Sequence, residues 1–311
     1  MRRRQLLEAW IASTLAAGCG SAPAGDGATP AVASPVQPER PRDAAKIAVD
    51  LVGGKVNGLV FVDRVRVHPV GPRLISLGPA RALLAGTSVD PLRDLERVFV
   101  TAPSTSDRRA IMFAEHKLDD ARIQQAMMDL VQKSDPPGAV VPGAPYPTVK
   151  VQRRGRGGLV SFIPPHFVVA LPEEMMSSLS AFATTGGLPG PEGVEAARFS
   201  ALDPSTTLRG RGVPAIPPSI SAVQGIATLR GDGGISVDAV GPSASPTQAA
   251  DDADYLTDAI ERATTVTLGF VKIRVIKPIE FVAKDDNVEA HVDMSRAEIE
   301  QLLGLAESFA G

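Results

Sequence analysis

Residues 222–240, AVQGIATLRGDGGISVDAV, contain the clearest fold signal in the chain. Two stretches with strand-like composition, 222–230 and 235–240, flank the tetrapeptide Gly-Asp-Gly-Gly at 231–234. Tight turns favour glycine and aspartate, because these residues tolerate backbone conformations that other side chains avoid. The stretch therefore predicts an antiparallel β-hairpin.

The residues after this hairpin predict a helix, further strands and a closing helix. A capping box at 245–248, with proline at the first helical position, opens a helix that is expected to run to about Ala263. A second capping box at 295–298 opens a closing helix with an apolar side. Strands are expected at 266–276, 279–283 and 288–292.

The preceding part of the chain predicts elements in a similar order. Apolar runs at 98–101 and 110–115 predict a hairpin, and apolar spacings of three and four over 119–133 predict a helix. Strands are then expected near 148–152, 159–163 and 167–171, followed by a helix at 172–182. Further upstream, strands are expected at 46–52 and 59–67, joined by a turn at Gly53-Gly54, and a helix at 71–85.

These elements predict the α+β fold class, with antiparallel sheets and helices gathered on one face. Both halves follow the order hairpin, helix, strands, helix, which predicts a structural duplication. The expected domain organisation is a first half at 43–183, a Pro/Gly-rich linker at 184–218 and a second half at 219–311.

Composition excludes some classes of partner. The 311 residues are 44% hydrophobic and 22% charged, which is ordinary for a soluble protein. The formal net charge is −3 and aromatic residues make up 4%. Nucleic acid is therefore not an expected partner, because its binding depends on positive charge and on stacking platforms.

The N-terminus predicts an export signal. Arginines at 2–4 precede an apolar run, and Leu15-Ala16-Ala17-Gly18 lead to Cys19, the single cysteine of the chain. This stretch resembles a bacterial lipoprotein signal peptide with its lipobox, which implies cleavage after residue 18 and lipidation of Cys19. Arg3 and Arg4 also begin a stretch that resembles a twin-arginine export motif, so the export route stays open.

The resemblance implies a cell-envelope protein that its lipid attaches to a membrane, with a periplasmic or extracellular soluble part. Residues 19–42 are mostly Ala, Pro, Gly and Ser after the cysteine and predict a disordered tether. The apolar run 9–18 is too short to span a bilayer, which takes ~20 residues.

The sequence assigns no catalytic residue, cofactor or metal site. Histidines at 68, 116, 166 and 291 lie far apart and match no metal-binding spacing. The favoured role is non-catalytic binding, scaffolding or assembly with an envelope partner.

Two other functions remain open. One is a carrier for lipid or another apolar ligand, in which methionines help to line an adaptable cavity. The other is a hydrolase that uses Glu115, His116 and Asp119. The methionines in question are Met127, Met128, Met175 and Met176.

Overall fold

The computed structural model describes residues 42–77, 79–84, 86–153, 156–209, 214–268, 271–274, 277 and 279–310. It combines helices with one large antiparallel sheet, which confirms the α+β class. The signal peptide, Cys19 and residues 20–41 of the tether lie outside these ranges. Lipidation therefore stays a prediction. Within the described ranges, no helix combines the length and apolar character needed to cross a bilayer.

The strands and helices have the following bounds. The strands are β1 (Val56–Phe61), β2 (Leu95–Ala102), β3 (Ile111–His116), β4 (Ala139–Val140), β5 (Thr148–Arg153), β6 (Arg156–Ile163), β7 (Phe167–Leu171), β8 (Glu195–Leu202), β9 (Ala222–Leu229), β10 (Ile235–Pro242), β11 (Thr265–Leu268), β12 (Val271–Arg274), β13 (Phe281–Lys284) and β14 (Asn287–Met294). The α-helices are α1 (Ala44–Val52), α2 (Val62–Arg66), α3 (Gly71–Leu77), α4 (Pro79–Leu84), α5 (Pro91–Asp94), α6 (Asp120–Lys133), α7 (Pro204–Thr207), α8 (Pro246–Thr264) and α9 (Arg296–Ala310). A 3-10 helix spans Glu173–Phe182.

Twelve strands form one sheet in the order β13-β14-β10-β9-β8-β1-β2-β3-β7-β6-β5-β4, while β11 and β12 pair separately. Strand β8 lies near the middle, where Phe199 faces Gly58 of β1 on one side and Gly225 of β9 on the other. The stretch predicted as a linker, 184–218, thus contains a central strand. Residues 195–202 contain no glycine or proline and are mostly buried, so this segment pairs as a strand although the residues around it are rich in both. The predicted domain boundaries themselves stay a prediction.

Two segments near the start differ from their predicted strands. Residues 46–52 belong to α1, because Asp43 accepts a hydrogen bond from the amide of Ala45 at the N-cap. Gly53, with φ of 62°, ends this helix in the left-handed conformation instead of forming a hairpin turn. Residues 62–66, predicted to continue β1, form the short helix α2.

Helices lie on both faces of the sheet, so the prediction that they gather on one face is wrong. Helix α1 and the 3-10 helix pack with Ile111 and Phe113 on what we call the first face. Helices α4 and α6 pack with Met112 and Ala114 on the second face. Successive residues of a strand point to opposite faces. Since every residue of β3 is buried, both faces need a cover.

In the second half, both long helices pack on the second face. Helix α8 packs against Val288, and α9 packs against Ile235. The pairing registers place these two residues on the same face as Ala114.

The two halves use the same strand order. In the first half, β2-β3 is followed by α6 and by β6-β7, and the spatial order is β2-β3-β7-β6. In the second half, β9-β10 is followed by α8 and by β13-β14, and the spatial order is β9-β10-β14-β13. In both halves the last strand pairs with the second strand of the hairpin.

Candidate functional site

Among the described residues, the first face of the sheet is covered in one half and uncovered in the other. Over the first half, Leu179 and Phe182 of the 3-10 helix and the buried side of α1 cover it. Over β9, β10, β14 and β13, none of the helices in the described ranges contributes to a core cluster on this face. We call this surface the open face. Its side chains belong to Arg198, Ser200, Gln224, Ile226, Thr228, Ser236, Asp238, Val240, Val282, Lys284, Glu289, His291 and Asp293.

The open face is concave. It contains a depression of about 750 Å3 that begins at Glu192 and Arg198 and extends across β9 and β10 to His291 and Val282. Residues from five adjacent strands and from the loop before β8 line it. A surface of this shape can receive a segment of another molecule.

His291 stands at the centre of a polar cluster on this face. Its Nδ1 lies 2.6 Å from Asp238 Oδ1 on the neighbouring strand, and its Nε2 lies 3.2 Å from Asp293 Oδ2. Hydrogen bonds to Asp238 and then to Asp293 raise the pKa of His291. Since both ring nitrogens face carboxylates, neither is free to act as a general base.

Asp293 is held by several donors. It accepts hydrogen bonds from Ser236 Oγ and from Arg230 Nη1, the latter at 2.7 Å. The Ser236 hydroxyl and then His291 lower the pKa of Asp293 to about 2. This carboxylate therefore stays ionised over the physiological pH range.

Arg198 marks the border between the covered and open parts of the face. Its guanidinium lies 2.8 Å from Glu192 Oε1, contacts Glu195 and lies 5.7 Å from the Phe61 ring centroid. Burial raises the pKa of Glu195, but the hydrogen bond from Arg198 and those from backbone amides outweigh it and lower that pKa to about 2. The ion pair fixes the loop before β8 against the sheet.

Among the described residues, carboxylates outnumber the lysine and arginine cations on and around the open face, even when the His291 imidazole is counted as a further cation. The cations Arg198, Arg230 and Lys284 each already contact a carboxylate. The carboxylates are those of Glu192, Glu195, Asp232, Asp238, Glu289 and Asp293. The surface therefore has a negative excess.

The residues of the hydrolase alternative do not converge. Glu115 points to the first face, where it accepts hydrogen bonds from Arg97 Nε and from the amide of Leu188, the latter at 2.7 Å. His116 points to the second face, and its Nδ1 accepts from the amide of Leu118 at 3.1 Å. Asp119 is the N-cap of α6. Glu115 and His116 are adjacent in the strand but lie on opposite sides of the sheet, so they cannot form one site.

His116 is a buried imidazole whose Nε2 has no hydrogen-bond partner within the described ranges. Burial and then the nearby His166 lower the pKa of His116 to about 4. The ring lies edge-on to Phe162, with centroids 6.1 Å apart. It is thus neutral and packed at physiological pH.

The methionines of the carrier alternative do not line one cavity. Met127 packs on the second face and Met175 on the first. Met128 and Met176 are exposed, by 51% and 42%. In the part of the chain that the structure describes, no three acidic, histidine or cysteine side chains converge as metal ligands.

His291 falls in the strand predicted at 288–292, but its carboxylate neighbours were missed. The alternation of Glu289, His291 and Asp293 was a usable signal, since every second residue of a strand shares a face. Asp238 on β10 could be identified as a neighbour of His291 only from the pairing register of the two strands. Comparisons with protein-family models, curated proteins and solved structures found no match for this chain.

Proposed function

We propose that this protein is a lipid-anchored docking protein of a bacterial cell envelope, which holds a partner on the open face. The observation that carries the proposal is the concave first face of β9, β10, β14 and β13, which no described helix covers, while α8 and α9 pack on the second face. A sheet with one packed and one free face can bind a partner without losing its own core.

We also infer that the two halves arose by duplication. The strand orders match, and the equivalent helices α6 and α8 both pack on the second face. Strands β1 and β8, which precede the two hairpins, pair antiparallel at the centre, as a two-fold axis perpendicular to the sheet requires.

Under this duplication, the elements that cover the first face in one half should have equivalents in the other. In the first half, α1 precedes β1 and covers the first face. The equivalent stretch before β8, residues 184–194, contains four glycines and two prolines and forms no helix. The closing helix α9 packs on the second face instead of the first. In the part of the chain that the structure describes, the second half therefore has neither of the two covers found over the first face of the first half.

The membrane attachment rests on the resemblance of the N-terminus to a lipoprotein signal. Lipid at Cys19 followed by a tether of about twenty residues would let the folded part reach tens of ångströms from the bilayer. Charged side chains are among those that line the depression, which supports the docking of a macromolecular segment over the carriage of a purely apolar ligand.

Site-specific photo-crosslinking in the native host tests the docking role. A photoreactive residue would replace Ile226 or Val282, which are 38% and 53% exposed on the open face. Tyr255, 43% exposed on α8, provides the matched control. We expect a discrete adduct from positions 226 and 282 and none from 255. Equal adducts from all three positions, or none, would contradict the proposal.

Intact mass of the protein from host membranes tests the anchor separately. We expect a chain that begins at Cys19 and has an acyl mass increment, and release of the Cys19→Ser version from the membrane fraction. A soluble chain with an unmodified Cys19 would rule out the lipid anchor.

A further inference from the structure

We propose that the partner segment that docks on the open face is basic and amphipathic, with lysine or arginine side chains placed beside aliphatic ones. This inference rests on the proposed docking function and specifies the partner's chemistry. It follows from the arrangement of charge and apolar surface across the strands.

The first support is the availability of the carboxylates. Asp238 and Glu289 lie on adjacent strands and are exposed, with 54% and 44% of their side-chain surface accessible. Asp238 contacts only a histidine in the described ion pairs, and Glu289 has a lysine contact at 3.4 Å. Arg198 and Arg230 are already bonded to other carboxylates. A partner cation would therefore meet carboxylates that remain accessible from solvent.

The second support is the placement of aliphatic side chains among these carboxylates. Ile226 lies directly opposite Asp238 in the register of β9 and β10. Glu289 lies opposite Val240 on one side and Val282 on the other. Neighbouring strands are ~4.8 Å apart, so one partner segment can contact both kinds of group.

The charge pattern argues against two other occupants. An acidic segment would meet the carboxylate excess, and like charges brought together are destabilising. A second copy docked through the same face would bring the same excess against itself. A basic segment turns this excess into favourable pairs, each of which is partly exposed and therefore modest in strength.

The test uses the full protein purified in detergent and a fluorescein-labelled peptide of about 12 residues in which lysine alternates with leucine, long enough to cross several strands. The comparison peptide has glutamate in place of lysine. The protein variants are Asp238→Asn and Glu289→Gln. Asp254→Asn, an exposed carboxylate on α8 at the other face, is the matched control. Circular dichroism checks that each variant is folded.

Binding is measured as fluorescence anisotropy at low salt. We expect the lysine peptide to bind, the glutamate peptide not to bind, and each open-face variant to weaken the affinity by about two- to fivefold. The control should leave it unchanged. Added salt should screen the charge pairs and weaken the binding of the lysine peptide.

Either of two results overturns the inference. One is equal or absent binding of both peptides, and the other is binding that the open-face variants leave unchanged. If crosslinks at positions 226 and 282 still form in the host, the docking function stands and only the partner's chemistry is wrong. If those crosslinks are absent, the docking function itself fails.

Discussion

At the scale of single residues, Glu115 and His116 show how a strand separates neighbours. Glu115 is 1% exposed and holds Arg97 and the loop at Leu188 on the first face. His116 is 3% exposed and packs on the second face, where its Nε2 lacks a partner. Both are therefore structural groups, and each makes a testable contribution to stability.

His116 should make the protein sensitive to acid. Its folded pKa of about 4 lies below the unfolded value of about 6.5, so the folded state binds fewer protons between these pH values. Stability is therefore present above pH ~6.5 and is lost as the pH falls towards ~4, by up to about 3 kcal/mol. Urea denaturation at several pH values measures this.

The matched variant is His116→Asn, whose side-chain oxygen can still accept from the amide of Leu118. We expect a smaller loss of unfolding free energy over the same pH interval. An identical pH dependence in the two proteins would show that other groups cause the acid sensitivity.

Gly187 is required by the Glu115 contact. Its φ is 92°, and a Cβ at this position would lie 2.6 Å from Glu115 Oε1. Gly187→Ala should therefore lower the free energy of unfolding by about 1–3 kcal/mol, because it combines left-handed strain with a clash against a held carboxylate. Chemical denaturation measures the change.

Gly190→Ala is the control, because a Cβ there meets no atom within 4 Å. We expect it to change stability by less than about 0.5 kcal/mol. Equal effects at the two positions would contradict the assigned clash.

At the scale of elements, the two predicted capping boxes behave differently. Ser295 and Glu298 bond reciprocally, so the second box is confirmed. In the first box the amide of Gln248 donates to Ser245 Oγ, but the Gln248 side chain donates to Asp252. Asp252 is 2% exposed and also accepts from Ser219 and Ser243. One carboxylate thus bonds α8 to the segment before β9 and to the segment after β10.

Asp252→Ala should destabilise the attachment of α8 to the segments at Ser219 and Ser243. Its removal leaves several donors without an acceptor, and we expect a loss of about 2–3 kcal/mol in unfolding free energy. Asp251→Ala removes an exposed carboxylate from the same helical turn, so any effect of the helix dipole is matched. Thermal denaturation compares the two variants. If both lose the same stability, the hydrogen-bond network is not the cause.

At the scale of the whole molecule, β8 makes the sheet continuous. It pairs with β1 over five residues and also with β9, so the two halves share backbone hydrogen bonds. We therefore expect the halves to unfold together. Hydrogen exchange of peptides from β3 and β10, followed over a urea series, should give coincident midpoints. Midpoints that differ clearly would indicate two independently folding domains.

Local chemistry decided how much of the fold could be predicted. Hairpins at 98–115 and 222–240 and helix α6 were predicted correctly, because turn residues, caps and apolar spacing are local signals. Residues 46–52 were assigned to a strand, because their apolar run fits either element and the cap at Asp43 was missed. The candidate site was predicted only in part, since His291 carried a local signal and Asp238 did not.

The α+β class and most strands and helices could be predicted from the sequence, since each depends on residues close together in the chain. The export signal that ends at Cys19 has the same local origin and stays a prediction. The central place of β8, the helices on both faces and the open face became evident only from the folded structure. These features arise from strand pairing between distant segments, and such pairing is specified by register and packing. A polar strand face stays uncovered when the remaining helices pack on apolar surface elsewhere, as α8 and α9 do here.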